Sequence, residues 1–141
     1  MKVQIKKLNK EVKLEPAHKG DAGIDLYASE TTEILPTEIK LVKTGIMVAI
    51  PEGFEGQVRP KSGLALNKGI TVLNTPGTID AGYRGEIGVI IINHGKEKFT
   101  AEKGKKIAQL VFNKIETPEI EIVKELDQTT RGEGGFGSTG L

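Results

Sequence analysis

The sequence predicts an all-β domain, and three observations carry that expectation. Apolar residues recur with a period of two rather than 3.6, as on strands that bury one face. Turn signals, mostly glycine and proline, interrupt these runs at roughly the 8–12-residue spacing of sandwiches and barrels. Only Ser62 to Asn67, closed by Gly69, reads as a helix, and it is a turn or two long.

The elements follow in chain order. Val3, Ile5 and Lys7 alternate with Gln4 and Lys6, the pattern of a half-buried strand. Ile39 to Ile50 reads as two short strands or as one strand bent at Gly45. Pro51-Glu52-Gly53 makes a turn before the strand Phe54 to Arg59. Ile87 to Ile92 is apolar throughout and β-branched, which suits a strand buried on both faces. After a turn at Asn93 to Lys96, strands are expected at Lys98 to Ala101, Ile107 to Phe112 and Glu119 to Val123. Beyond Gln128 the chain turns to glycine, serine and threonine. That composition cannot bury enough surface to order itself, so the tail is expected to be mobile unless docked. The division is therefore a single all-β domain over 1–127 and a glycine-rich arm over 128–141.

At 141 residues the chain is sized for one core. Its net charge of +1 gives no global field to attract nucleic acid or a membrane, so an anion must be held by a local site. The absence of cysteine excludes disulfides, thiol catalysis and cysteine-ligated metal. His18 and His94 are the only histidines, too few for a histidine-rich zinc site, and both are expected in loops without a chemical task. The N-terminus shows no apolar segment or small-residue cleavage site, and the most apolar run, Gly88 to Ile92, is too short to span a bilayer. A cytoplasmic protein is expected.

Lysine supplies nearly all the positive charge, and Arg59, Arg84 and Arg131 each lie in or beside a glycine-rich segment. Arginine's planar fork suits bidentate anion binding, whereas lysine is a flexible point charge. The segment Thr71 to Glu86 places the carboxylate of Asp80 three residues before the ring of Tyr83, with Gly77, Gly82 and Gly85 to let the backbone turn. Such a hairpin can hold a flat polar ring beside a general base. Lys61-Ser62-Gly63 opens the short helix, where Ser62 either cradles phosphate with its neighbours or merely caps the helix. In the tail, consecutive glycines allow backbone N–H groups to converge on an anion, and Phe136 on a flexible tether can stack on a base.

Taken together these segments resemble the homotrimeric dUTPase (dUTP pyrophosphatase) family, from about Lys19 to Leu141. Its five motifs occur in order: Asp21 to Leu26, Arg59 to Ala65, Asn74 to Glu86, Gly104 to Val111, and Arg131 to Gly140. Lys61 and Lys106 stand where that family more usually has arginine, which keeps the charge but loses bidentate geometry.

The resemblance implies a β-clip or jelly-roll-like homotrimer with active sites shared between subunits. It implies hydrolysis of dUTP to dUMP and pyrophosphate, limiting uracil incorporation into DNA and supplying dUMP for dTMP synthesis. Asp80 would be the general base that activates water against the α-phosphorus. Mg²⁺ would be held mainly by the triphosphate, with Asp25 holding one of its waters or orienting the Asp80 region. Asn74, Thr78, Ile79 and Gly88 would read uracil, and Tyr83 would exclude a ribose. Lys61, Ser62, Gly63 and Gln109 would contact phosphates, while Arg131, Phe136, Gly137 and Ser138 close the site from the arm. The alternatives are a dCTP deaminase of the same fold, which would want a glutamate base where Asp80 stands, and a nucleotide-binding regulatory trimer.

Overall fold

In the computed structural model, which describes residues 1–140, ten strands and one helix account for the regular structure. The strands are β1 (Gln4–Lys7), β2 (Gly23–Tyr27), β3 (Thr32–Ile34), β4 (Ile39–Ala49) and β5 (Phe54–Arg59). After α1 (Ser62–Lys68) come β6 (Ile70–Val72), β7 (Gly77–Ile79), β8 (Glu86–Asn93), β9 (Phe99–Ala101) and β10 (Lys106–Lys114). All pairings are antiparallel. One sheet runs β1-β4-β8-β6, a second β2-β10-β5-β7, and β3 pairs with β9. No helix among the described residues is long and apolar enough to cross a membrane.

The period-two pattern becomes the core directly. Val42, Thr44, Ile46 and Val48 of β4 face inward with Ile87, Val89 and Ile91 of β8. They meet Leu26, Val58, Ala108 and Leu110 from the second sheet in one apolar cluster. Each such aliphatic side chain, fully buried, contributes about 1.5–3 kcal/mol of transfer free energy. Thr44 is tolerated there because its hydroxyl donates to the Ile87 carbonyl at 2.6 Å.

Two openings left by the sequence are resolved by backbone geometry. Ile39 to Ala49 is one strand, bent where its register with β8 shifts between Lys43 and Met47. Gly45 lies at the bend with φ +73°, and a Cβ there would run into the Val12 side chain, so glycine is required on two counts. The helix is also found as expected, closed by Gly69 in the left-handed conformation.

Two expectations are corrected. β8 is buried on one face only: Ile87, Val89, Ile91 and Asn93 are inside, whereas Glu86, Gly88, Ile90 and Ile92 are half-exposed. Its outer face has no second layer within this chain. Glu119 to Val123 forms no strand, with Ile120 77% and Ile122 94% exposed. Alternation marks two faces but supplies no hydrogen-bonding edge, and the segment finds none in its own chain. Residues 115–140 contain no strand or helix; Leu141, the end of the expected arm, lies outside the described residues.

Candidate active site

The return from β7 to β8 builds the site's acidic end. Asp80 directly follows β7, and the Tyr83 N–H donates to the Asp80 carbonyl at 3.1 Å, closing a four-residue turn. One short piece of backbone thus sets the spacing of carboxylate and ring. The Tyr83 hydroxyl donates to the Glu86 carbonyl at 2.9 Å, which tethers the ring at its far end. Arg84 braces the same turn, donating to the carbonyls of Ala81 at 2.6 Å and Tyr83 at 2.9 Å.

Asp80, Tyr83 and Glu86 line a cleft of about 330 Å³. Asn74, Thr78, Ile79, Asp80, Tyr83 and Gly88 all face it. Leu41, Lys43, Val58, Val72, Gly77, Glu86 and Ile90 also line it and were not named as site residues from the sequence. Leu41 packs over Gly88, where a Cβ would lie 2.6 Å from its Cδ1. The signal for Leu41 was available only as register, because β4 pairs Leu41 with Ile90 and Lys43 with Gly88.

A second cavity, of about 250 Å³, holds a different group of the expected residues: Asp25, Lys61 and Gln109. Adjacent strands bring two of them level, since β10 pairs Gln109 with Asp25 on one side and Arg59 on the other. Gln109 donates its side-chain amide to the Pro60 carbonyl at 3.1 Å, fixing it beside Lys61. Lys106, His18, Glu15 and Asp21 complete the wall. His18 lies in a loop, as expected, at the edge of this cavity.

Asp25 is the charged centre of that cavity. Lys61 Nζ donates to its Oδ1 at 2.5 Å and Lys106 Nζ pairs with its Oδ2 at 2.9 Å. Partial burial pushes the Asp25 carboxyl up, but the Lys61 and Lys106 ammonium groups pull it further down, to a net position below the ordinary value. The same pairing raises Lys106. A carboxylate with an ammonium on each oxygen is not poised to hold a cation. Among the described residues no cluster of three or more His, Asp or Glu side chains is placed to bind a metal.

Ser62 is the first helical residue, not the cap; Lys61 occupies the cap position without a side-chain hydrogen bond to the helix. Ser62 and Gly63 line neither cavity. Arg131, Phe136, Gly137 and Ser138 also stand apart. The arm folds into local turns, with Arg131 Nε donating to the Gly134 carbonyl at 2.9 Å and Phe136 fully exposed.

Fold and clefts define a small all-β protein with one cleft that carries the Asp80 carboxylate and a separate recess that carries two lysines. Comparison with known proteins gives that class its family. The dUTPase family profile matches residues 10–140. The deoxyuridine 5'-triphosphate nucleotidohydrolase of Clostridium novyi (strain NT) is 55% identical, with 100% of both chains covered. That of Clostridioides difficile is 57% identical over 99% of this chain and 98% of its own. Among solved structures, the dUTPase of Staphylococcus bacteriophage 80alpha with dUPNHPP superimposes with a TM-score of 0.90 at 34% identity, covering 99% of each chain. A mutant dUTPase from phage phi11 of S. aureus, solved to show the coordination of a structural Mg(II) ion, gives a TM-score of 0.81 at 30% identity over 89% of this chain and 98% of that one. The chain belongs to the dUTPase family.

Proposed function

We propose that this protein hydrolyses dUTP to dUMP and pyrophosphate. The observation that carries the reading is the cleft that gathers Asn74, Thr78, Ile79, Asp80, Tyr83 and Gly88 in one small space. In it, Asp80 is the general base. Water, losing a proton to the Asp80 carboxylate, forms a bond from its oxygen to the α-phosphorus. The bond from that phosphorus to the bridging oxygen breaks, and pyrophosphate leaves with the electron pair. No covalent enzyme intermediate is needed. The hairpin groups around Asn74, Thr78, Ile79 and Gly88 read the uracil edge. Tyr83, held by its hydroxyl, stands under the sugar and excludes a ribose 2′-hydroxyl. Steric exclusion of that kind exceeds the ~1–3 kcal/mol available from losing one methylene contact.

Lys61 and Gln109, with Ser62 and Gly63 at the start of α1, take the phosphates. Lys61 and Gln109 line a cavity apart from Asp80 on the same subunit, which supports a site assembled from two copies of the chain in a homotrimer. The exposed arm over 128–141, with Arg131, Phe136, Gly137 and Ser138, would close that shared site, its ring stacking on uracil. Mg²⁺ enters as part of the substrate, neutralising the triphosphate, since no set of side chains among the described residues makes a home for it. Asp25 serves the lysines rather than the metal. The place of action is the cytoplasm, where nucleoside triphosphates are made and used.

The deciding assay measures pyrophosphate and ammonia release from dUTP, dCTP, dTTP and UTP, with Mg²⁺ and again with EDTA. Pyrophosphate from dUTP alone, lost with EDTA, is the expected result. Ammonia from dCTP would instead place the chain with the deaminases.

A further inference from the structure

We propose that Lys106 is a positioning residue for the phosphate site. By sharing the Asp25 carboxylate, it leaves Lys61 able to swing its ammonium onto the triphosphate. The inference rests on reading the Asp25 cavity as the place where phosphates bind.

The ion pairs divide Asp25 evenly: Lys61 holds Oδ1 at 2.5 Å and Lys106 holds Oδ2 at 2.9 Å. The three groups together carry one net positive charge. Were Lys106 absent, Lys61 and Asp25 would form a neutral pair, and a phosphate would have to compete with a carboxylate already in contact. Departure of Lys61 would also strand a carboxylate whose side chain is only 24% exposed, and leaving such a charge unpaired is costly. With Lys106 in place the carboxylate stays paired when Lys61 turns away. Lys106, at 51% exposed, is the more solvated of the two cations and lies farther from Asp25 than Lys61 does. Glu15, the other carboxylate within reach of its charge, accepts the Tyr27 hydroxyl at 3.1 Å.

Lysine at both positions is part of the device. An ammonium takes one carboxylate oxygen, whereas a guanidinium spans both. An arginine at 106 would cover both oxygens of Asp25 and displace Lys61. Positions 61 and 106 are thus coupled through one carboxylate.

The test is titration calorimetry of the full-length protein with dUpNHpp and Mg²⁺, comparing wild type, Lys61→Met, Lys106→Met, Lys106→Arg, and Lys106→Met combined with Asp25→Asn or with Lys61→Met. Lys106→Met should weaken binding by about tenfold or more, the scale of one charged hydrogen bond, with little change in melting temperature. Lys106→Arg should not restore it. Adding Asp25→Asn should recover most of the loss, because it frees Lys61. Adding Lys61→Met should cost little more, because Lys61 is already neutralised. Wild-type affinity in Lys106→Met, full rescue by arginine, or additive losses in the Lys61/Lys106 pair would each overturn the proposal; the last readout stands even if the Asp25 variant fails to fold. If wild type itself does not bind dUpNHpp, the phosphate-site reading fails, and this inference with it.

Discussion

In the proposed mechanism Asp80 is the general base, and the turn that holds it is built without help from its side chain: the Tyr83 N–H bonds its carbonyl, and Arg84 and the Tyr83 hydroxyl tie the rest. Asp80→Asn should therefore fold normally and bind dUpNHpp like wild type. Its turnover should fall by about 10²–10⁴-fold, the usual worth of a general base, as measured by single-turnover pyrophosphate release. Asp25 gives the opposite case, a carboxylate whose effect appears in stability. Its folded-state value lies below the unfolded one, so its contribution is fully present above pH 3.8 and is lost as pH falls through the depressed value. Asp25→Asn should accordingly lower the melting temperature at neutral pH, where the contribution is present, and converge on wild type as pH falls below about 4, flattening the acid limb. That Asp80 and Tyr83 share one turn was readable from their motif. The pairing of Asp25 was not, because Lys61 and Lys106 are separated from it by 36 and 81 positions in the chain and meet only through the β2-β10-β5 register.

At the scale of elements, the strands that the sequence revealed are those whose alternation meets a partner in the same chain. β4 and β8 were legible because every second residue is aliphatic and both are long. The end of β3 and the turn after β8 are held by the buried side chain of Asn93, whose contacts no local pattern announces. Its amide donates to the carbonyls of Ile34 at 2.9 Å and Glu97 at 2.8 Å, and its oxygen accepts the Gly95 N–H at 2.8 Å. Asn93→Ala would leave those three backbone groups without that partner. It should cost roughly 2–4 kcal/mol in urea unfolding, with the slope of the transition unchanged. Ile120 and Ile122 misled for the reverse reason: their alternation is real, but a strand needs an edge to join, and their own chain offers none.

For the whole molecule, regular structure ends well before the chain does. The last strand stops at Lys114, and the described residues of the proposed arm make only local hydrogen bonds to one another. Deleting residues 130–141 should leave the melting temperature within about 2 °C of wild type, since exposed residues contribute little to stability. Activity should drop severely, and a kinetic assay beside differential scanning calorimetry separates the two effects. The architecture was legible from periodicity, but the distribution of site residues was not. Motif order along the chain says nothing of which residues face one recess, and the fold sends Asp80 and Tyr83 to one cleft and Lys61 and Gln109 to another. That separation has a genetic consequence. Two inactive proteins, one lacking the Asp80 carboxylate and the other damaged at Lys61 and Gln109, should complement each other when refolded as a mixture. In mixed trimers of equal parts, about a quarter of the sites would draw both halves from undamaged surfaces, so activity should reappear where neither parent has any.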